Sequence, residues 1–174
     1  EYVPGDDLRH VDWKVWARQD RLVVKQFEED TNLRCTMVVD VSHSMQYGNG
    51  PLNKFEYAAT IAASLSYLVL QQQDAVGCIT FDEKIRMRVP IRSKRNHIHS
   101  VIDSLDTQSP SDKTDMYAVM REIAETVPRR GMIMLVSDLL GDIEGTIKGL
   151  KLLRQRGHDI LVFHVLDDDE LDFE

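Results

Sequence analysis

Three oxygen-bearing side chains stand at alternate positions early in the chain, directly after an apolar run. Asp40, Ser42 and Ser44 follow residues 36–39, and a loop with two glycines and then a long amphipathic segment come next. This order predicts a buried strand, a polar loop and a helix. In open α/β sheets, ligands bind at the carboxyl ends of strands, where these side chains would lie. One carboxylate and two hydroxyls form a donor set of low charge, which suits a hard divalent cation such as Mg²⁺.

The pattern Asp40-x-Ser42-x-Ser44 resembles the first element of the metal-ion-dependent adhesion site of von Willebrand factor A domains. That site also uses a threonine on a second loop and an aspartate after a later strand, and the chain offers Thr114 and Asp138 in the expected order. The resemblance implies that Ser42, Ser44 and Thr114 bind Mg²⁺ or Mn²⁺ directly through their hydroxyls. It implies that Asp40 and Asp138 act directly or through water, and that a partner's Asp or Glu carboxylate completes the coordination.

The first 18 residues carry a second resemblance. Their pattern is similar to the signature of the domain of unknown function 58 family, whose members join it to a von Willebrand factor A-like domain, and residues 23–29 continue the likeness as a predicted strand. Membership implies an adaptor role beside a MoxR-type AAA+ ATPase. One departure is Leu139, which stands where a glycine usually follows the last site aspartate. The residues that carry the signature are Tyr2, Pro4, Gly5, Asp6, Arg9, Asp12, Trp13, Ala17 and Arg18.

Charge and composition exclude several classes of function. The net charge is -8, and residues 167–174 alone carry six acidic groups, so the rest of the chain is nearly balanced. We therefore expect no nucleic-acid partner, since a basic face is absent from the sequence. No apolar run approaches the roughly 20 residues that span a bilayer, so we expect no membrane contact from these residues. Cys35 and Cys78 lie in separate strand-like runs, which indicates buried reduced thiols and a cytoplasmic location.

The chain begins at Glu1, within a stretch that resembles a family motif, so we expect it to be a piece of a longer protein whose other parts could include a membrane anchor. Its length suits one domain with a full core. We divide it into an N-terminal segment 1–30 packed on the domain, a von Willebrand factor A-like domain 31–166 and an acidic tail 167–174.

Alternating strand and helix patterns position the candidate ligands. They predict an α/β fold with a doubly wound, mostly parallel sheet in a three-layer, Rossmann-type arrangement. The two-residue link Asp82-Glu83 forces its two strands to pair antiparallel, which gives one antiparallel edge strand. By resemblance, the strands that precede Asp40 and Asp138 are neighbours. Strands are predicted at 33–41, 74–81, 84–89, 132–137 and 160–166, and helices at 52–72, 95–105, 115–127 and 143–155.

Alternatives to a metal-dependent interaction module remain open at this point. Asp40 and the two serines would serve equally as loop caps, Thr114 as a helix cap and Asp138 as a turn residue. A Mg²⁺-dependent phosphohydrolase would need a second acid two residues after its aspartate nucleophile, and that position is Ser42. No phosphate-binding G-x-x-x-x-G-K-[ST] loop occurs. We expect a non-enzymatic protein, with a structural domain that has a vestigial metal site as a further alternative.

Overall fold

The computed structural model describes residues 13–19, 33–48, 50–106, 115–128 and 130–171. The chain divides into two compact units, Glu1–Thr31 and Asn32–Glu174. The described part of the first unit is the seven-residue helix α1, Trp13–Gln19. The predicted strand at 23–29 lies outside the described residues, and the packing of segment 1–30 on the domain stays a prediction.

The second unit alternates strands with helices, as the hydrophobic pattern predicts. Its strands are β1 Arg34–Asp40, β2 Ala75–Phe81, β3 Ile85–Arg92, β4 Met132–Ser137 and β5 Asp159–His164. Its helices are α2 Lys54–Gln71, α3 His97–Asp106, α4 Met116–Thr126, α5 Ile143–Gln155 and the short α6 Asp168–Leu171. A four-residue 3-10 helix, His43–Gln46, follows β1.

The strands form one five-stranded sheet in the order β3-β2-β1-β4-β5. β1 pairs parallel with β2 and β4, β4 pairs parallel with β5, and β3 pairs antiparallel with β2. The doubly wound sheet with one antiparallel edge strand is thereby confirmed, and it agrees with the von Willebrand factor A-like fold that the sequence predicts. The chain passes from β1 to β2 and β3 on one side and then crosses to β4 and β5 on the other. The gap between β1 and β4 is therefore the switch point where such folds bind ligands.

Two hydrophobic layers enclose the sheet. β1 alternates between them: Met37 and Val39 pack on the side of α2 and α3, while Val38 packs on the side of α4 and α5. Ala58 and Ala62 are fully buried, because small side chains let α2 lie close to the sheet. Both faces of β1 are covered, and the candidate ligands lie at its carboxyl end.

Several predicted boundaries are wrong by a few residues, each for a local reason. Helix α2 begins at Lys54 rather than at residue 52, because the Asn53 side chain accepts from the Glu56 backbone N–H and the Glu56 side chain accepts from the Asn53 N–H. This reciprocal pair is a capping box. β3 continues past Pro90 to Arg92, which an edge strand tolerates. β5 begins and ends earlier than predicted, after Gly157 turns the chain with a φ of 88°.

No helix among the described residues has both the length and the apolar character needed to cross a bilayer.

Candidate metal centre

Asp40 is the last residue of β1 and is only 2% exposed. Its Oδ1 atom accepts a hydrogen bond from the Ser42 backbone N–H at 2.9 Å, and its Oδ2 atom accepts one from the Ser137 hydroxyl at 2.6 Å. Ser137 ends β4, so this bond joins the carboxyl ends of two neighbouring strands. The Asp40 carboxylate is therefore fixed in place from both sides.

Ser42 and Ser44 lie on the loop that leaves β1. Ser42 precedes the 3-10 helix as its N-cap residue, and fully buried Met45 anchors that helix in the core. The Ser42 and Ser44 hydroxyls are hydrogen-bonded to each other, with their Oγ atoms 3.1 Å apart. Adjacent ligand oxygens around octahedral Mg²⁺, with bonds of 2.0–2.1 Å, are about 2.9 Å apart, so an ion that replaced this hydrogen bond would need little movement of either side chain. His43, between the serines, is exposed.

Asp138 directly follows β4 and is 2% exposed. Its Oδ1 atom accepts from the Leu140 backbone N–H at 3.1 Å, and its backbone carbonyl lies 2.9 Å from the His164 Nε2 atom. Leu139, between the two, has a left-handed φ of 53°. The position where adhesion sites usually have glycine thus keeps a backbone conformation that favours glycine, although the residue is leucine.

A lysine ammonium also belongs to this cluster. Lys54, the first residue of α2, is 3% exposed. Its Nζ atom lies 2.9 Å from Asp138 Oδ2 and 2.7 Å from Glu170 Oε1. Burial by itself lowers the pKa of Lys54, but the hydrogen bonds to Glu170 and Asp138 outweigh it and raise this pKa above its ordinary value. The ammonium is charged and bridges two carboxylates.

The pKa of Asp40 is raised above its ordinary value, chiefly because burial disfavours the charged carboxylate. Hydrogen bonds from Ser137 and Ser42 oppose this shift, and the negative charge of Asp138 adds to it. Asp138 therefore acts electrostatically on Asp40, and the two strand ends share one electrostatic environment. A positive charge placed between them would be favoured by both carboxylates.

Residues 1–173 match the family described as "Protein of unknown function DUF58". The chain belongs to this family. Among curated relatives, the uncharacterized proteins Mb1516 of Mycobacterium bovis and Rv1480 of Mycobacterium tuberculosis are each 31% identical over 174 residues, which cover 98% of this chain and 54% of theirs. The chain thus spans about half the length of the curated relatives it matches, and none of these descriptions names an enzymatic activity.

Solved structures share the fold at lower identity. BatB from Bacteroides thetaiotaomicron has a TM-score of 0.62 at 18% identity, covering 75% of this chain and 65% of its own. An aerotolerance-related membrane protein from Bacteroides fragilis has a TM-score of 0.63 at 21% identity, covering 76% and 67%. These likenesses show a common fold.

Four of the five residues predicted as metal ligands come to one edge of the sheet. Asp40, Ser42 and Ser44 follow β1, and Asp138 follows β4 beside it. The fifth, Thr114, lies outside the described residues. No cluster of three or more His, Cys, Asp or Glu side chains that could hold a metal occurs in the described ranges. The predicted donor set, rich in hydroxyls, is of a different kind from such a cluster.

Sequence reasoning missed Lys54, Ser137 and Glu170. Lys54 had a detectable signal, because a lysine at the first position of a helix opposes the helix dipole and needs a compensating partner. Ser137 had a weaker signal: it is the polar last residue of an otherwise apolar strand, as Asp40 is of β1. Glu170 had none of its own: it is one acid among several, and its partner lies 116 residues away.

Proposed function

We propose that this chain is a non-enzymatic, divalent-metal-dependent protein-interaction module. In this proposal Ser42 and Ser44 hold Mg²⁺ or Mn²⁺ through their hydroxyls, together with Thr114, while Asp40 and Asp138 contribute directly or through water. The bound ion would supply an electrophilic centre that accepts a carboxylate from a protein partner.

The position of two serine hydroxyls and a buried aspartate together at the switch point of the sheet carries the proposal. The Ser42 and Ser44 hydroxyls are hydrogen-bonded to each other at 3.1 Å, and the buried Asp40 precedes them at the end of β1. Asp40 orders this loop by accepting from the Ser42 N–H, so the hydroxyls are arranged before any ion arrives. A donor set with few anionic groups leaves a hard cation able to attract an external carboxylate.

One observation favours the structural alternative. The Lys54 ammonium is bonded to Asp138, so a cation of the chain's own already compensates one of the two site aspartates. We would expect this arrangement in a domain where the lysine ammonium, in place of a metal ion, neutralises the aspartate. The two functions differ in whether Mg²⁺ binds at all.

The phosphohydrolase alternative gains a lysine but lacks an available nucleophile. Lys54 supplies the cationic group that such an enzyme needs near the phosphate. However, both Asp40 oxygens accept hydrogen bonds from neighbouring groups, and the side chain is buried. Position 42 is serine, so the second acid that such enzymes carry two residues after the nucleophile, to handle the proton, is missing. These contacts disfavour attack by Asp40.

Calorimetric titration of Mg²⁺ and Mn²⁺ tests the proposal. We expect saturable binding to the wild type that Ser44→Ala removes, because the variant loses one proposed ligand. Ser100→Ala, an exposed serine in α3, is the matched control and should bind as the wild type does. Binding that survives Ser44→Ala would refute the proposed site, and no binding by the wild type would favour the structural alternative.

The proposed partner class is a protein with an exposed Asp or Glu, and a MoxR-type AAA+ ATPase is the candidate that the family resemblance suggests. Purified ATPase and this chain should associate in Mg²⁺ and separate in a chelator. Equal association in both conditions would contradict a role for the metal. Ser44→Ala should reproduce the effect of the chelator without removing metal from the ATPase.

A further inference from the structure

The acidic segment Asp167–Leu171 folds back on the loop that carries the candidate ligands. It contains α6, and we call it the C-terminal segment. Glu170 reaches buried Lys54 at 2.7 Å, and Asp169 Oδ2 accepts from the Tyr47 hydroxyl at 3.3 Å. Part of the stretch predicted as an acidic tail is therefore docked beside the candidate metal centre by contacts at two of its residues.

Glu170 is presented to Lys54 by the segment's own structure. Its Oε2 atom accepts from the Asp167 backbone N–H at 3.0 Å, while its Oε1 atom accepts from Lys54. Asp167 in turn accepts from the Asp169 N–H through its Oδ1 atom at 3.2 Å. The carboxylate of Glu170 is thus held at both oxygens, one within the segment and one at Lys54.

The loop leaves room for the segment at Gly48. A Cβ atom built on this glycine would lie 3.2 Å from Asp167 Oδ2 and 3.0 Å from the Asn53 Cα atom. Gly48 also has a φ of 148°, which side-chain-bearing residues rarely adopt. The close approach of the segment therefore depends on the absence of a side chain at this position.

The two carboxylates on Lys54 differ in how firmly they are held. Asp138 is fixed at the end of a central strand, and its side chain is 1% exposed. Glu170 belongs to a four-residue helix, and its side chain is 23% exposed. Lys54 itself is buried, so each carboxylate that pairs with it helps to offset the cost of burying its charge. Glu170 is the exchangeable member of the pair.

We propose that Lys54 Nζ is a carboxylate-binding site for an acidic peptide segment of a protein partner, and that Glu170 occupies this site in the chain's own resting state. The partner's Asp or Glu displaces the C-terminal segment and takes over the hydrogen bond to Lys54. This goes beyond the proposed function, in which the metal ion accepts a carboxylate of the partner, because the Lys54 site does not depend on a bound metal.

The probe is a fluorescein-labelled peptide of this chain's own residues 165–171, followed by fluorescence polarisation. A tethered segment competes at an effective concentration of about millimolar, so the wild type should bind the added peptide weakly. Glu170→Gln keeps the shape but removes the charge, so it should bind the peptide at least about tenfold more tightly, or about 1.4 kcal/mol. Asp168→Asn, an exposed acid in the same segment, is the matched control and should behave as the wild type.

Titrations in chelator and in Mg²⁺ separate this proposal from the proposed function. The Lys54 site predicts that the gain from Glu170→Gln persists in chelator, whereas the metal proposal predicts Mg²⁺ binding whichever residue stands at 170. Adding Lys54→Gln to Glu170→Gln should remove peptide binding. If that double variant does not fold by circular dichroism, the comparison of Glu170→Gln with Asp168→Asn decides alone. Equal peptide affinity in those two variants would overturn the proposal.

Discussion

Lys54→Met should be among the most damaging single substitutions in this domain. The side chains of Lys54 and Asp138 are 2% and 1% exposed, and their charged atoms are 2.9 Å apart. Methionine keeps the apolar stem but leaves the Asp138 carboxylate buried without its cation. Removing one partner of a buried ion pair costs about 3–5 kcal/mol, and we expect a loss of that size in the free energy of unfolding.

A double-mutant cycle isolates the pair. Asp138→Asn removes the charge that Lys54→Met would leave uncompensated, so the double variant should be less destabilised than the sum of the single variants. Residues in direct contact typically show coupling energies of about 0.5–3 kcal/mol, and we expect the upper half of that range here. Urea unfolding followed by circular dichroism gives each free energy by linear extrapolation.

Lys148→Met is the matched control for the same chemical change. Lys148 faces Glu144 at 3.7 Å, with side chains 67% and 86% exposed. Exposed pairs of this kind contribute about 0.3–0.5 kcal/mol, so the control should lie close to the wild type. If Lys54→Met costs no more than Lys148→Met, or if the cycle is additive, the ion pair at the candidate metal centre is not the stabilising contact that we infer.

Two further predictions concern the core. Gly149→Ala should destabilise by about 1–3 kcal/mol despite a better helix propensity, because the new Cβ would lie 2.9 Å from the Met120 Cβ atom. Gly145→Ala should not, because its close neighbour is the movable carboxylate of Asp142 and the Tyr117 Cβ atom lies at an ordinary contact distance of 3.5 Å. Thermal unfolding compares the two variants. Burial raises the pKa of both Cys35 and Cys78 to about 11, from an ordinary 9.0. The unfolded thiols ionise first, so stability is retained below pH 9 and falls as the pH rises towards 11. At pH 8, a disulfide reagent should label native thiols no faster than the protein unfolds, and rapid labelling of folded protein would contradict this.

The sheet was predictable because its signals are local. Apolar runs that end in polar residues give the strands, and amphipathic segments between them give the helices, so the order of the elements follows from periodicity alone. The two-residue link Asp82-Glu83 was enough to fix the direction of β3. The placement of Asp40 and Asp138 at one edge of the sheet also followed, because the carboxyl ends of parallel strands share that edge, whereas the prediction that their strands are neighbours came from the family resemblance.

The contacts that complete the candidate site were beyond sequence reasoning because they join distant residues. Lys54 and Asp138 are 84 residues apart, and Lys54 and Glu170 are 116 apart. Nothing local distinguishes Glu170 from the acids around it. The position of Glu170 depends on where β5 ends, and the packing of the whole sheet sets the position of β5. Leu139 was visible as a departure from the usual glycine, but its left-handed backbone is a property of the folded loop.

The charges at the site connect the two proposals. The Asp138 and Glu170 carboxylates share one ammonium, that of Lys54, while the Asp40 carboxylate lies at the neighbouring strand end, hydrogen-bonded to Ser137. A divalent cation at the serine hydroxyls would attract the carboxylates of Asp40 and Asp138. If a partner's carboxylate replaces Glu170, the charge of the cluster does not change, so the exchange is electrostatically neutral and depends on the contacts that each acidic segment makes outside the site. Recognition of the partner would then rest on residues flanking its acid, since the charge–charge interaction with Lys54 is the same for both.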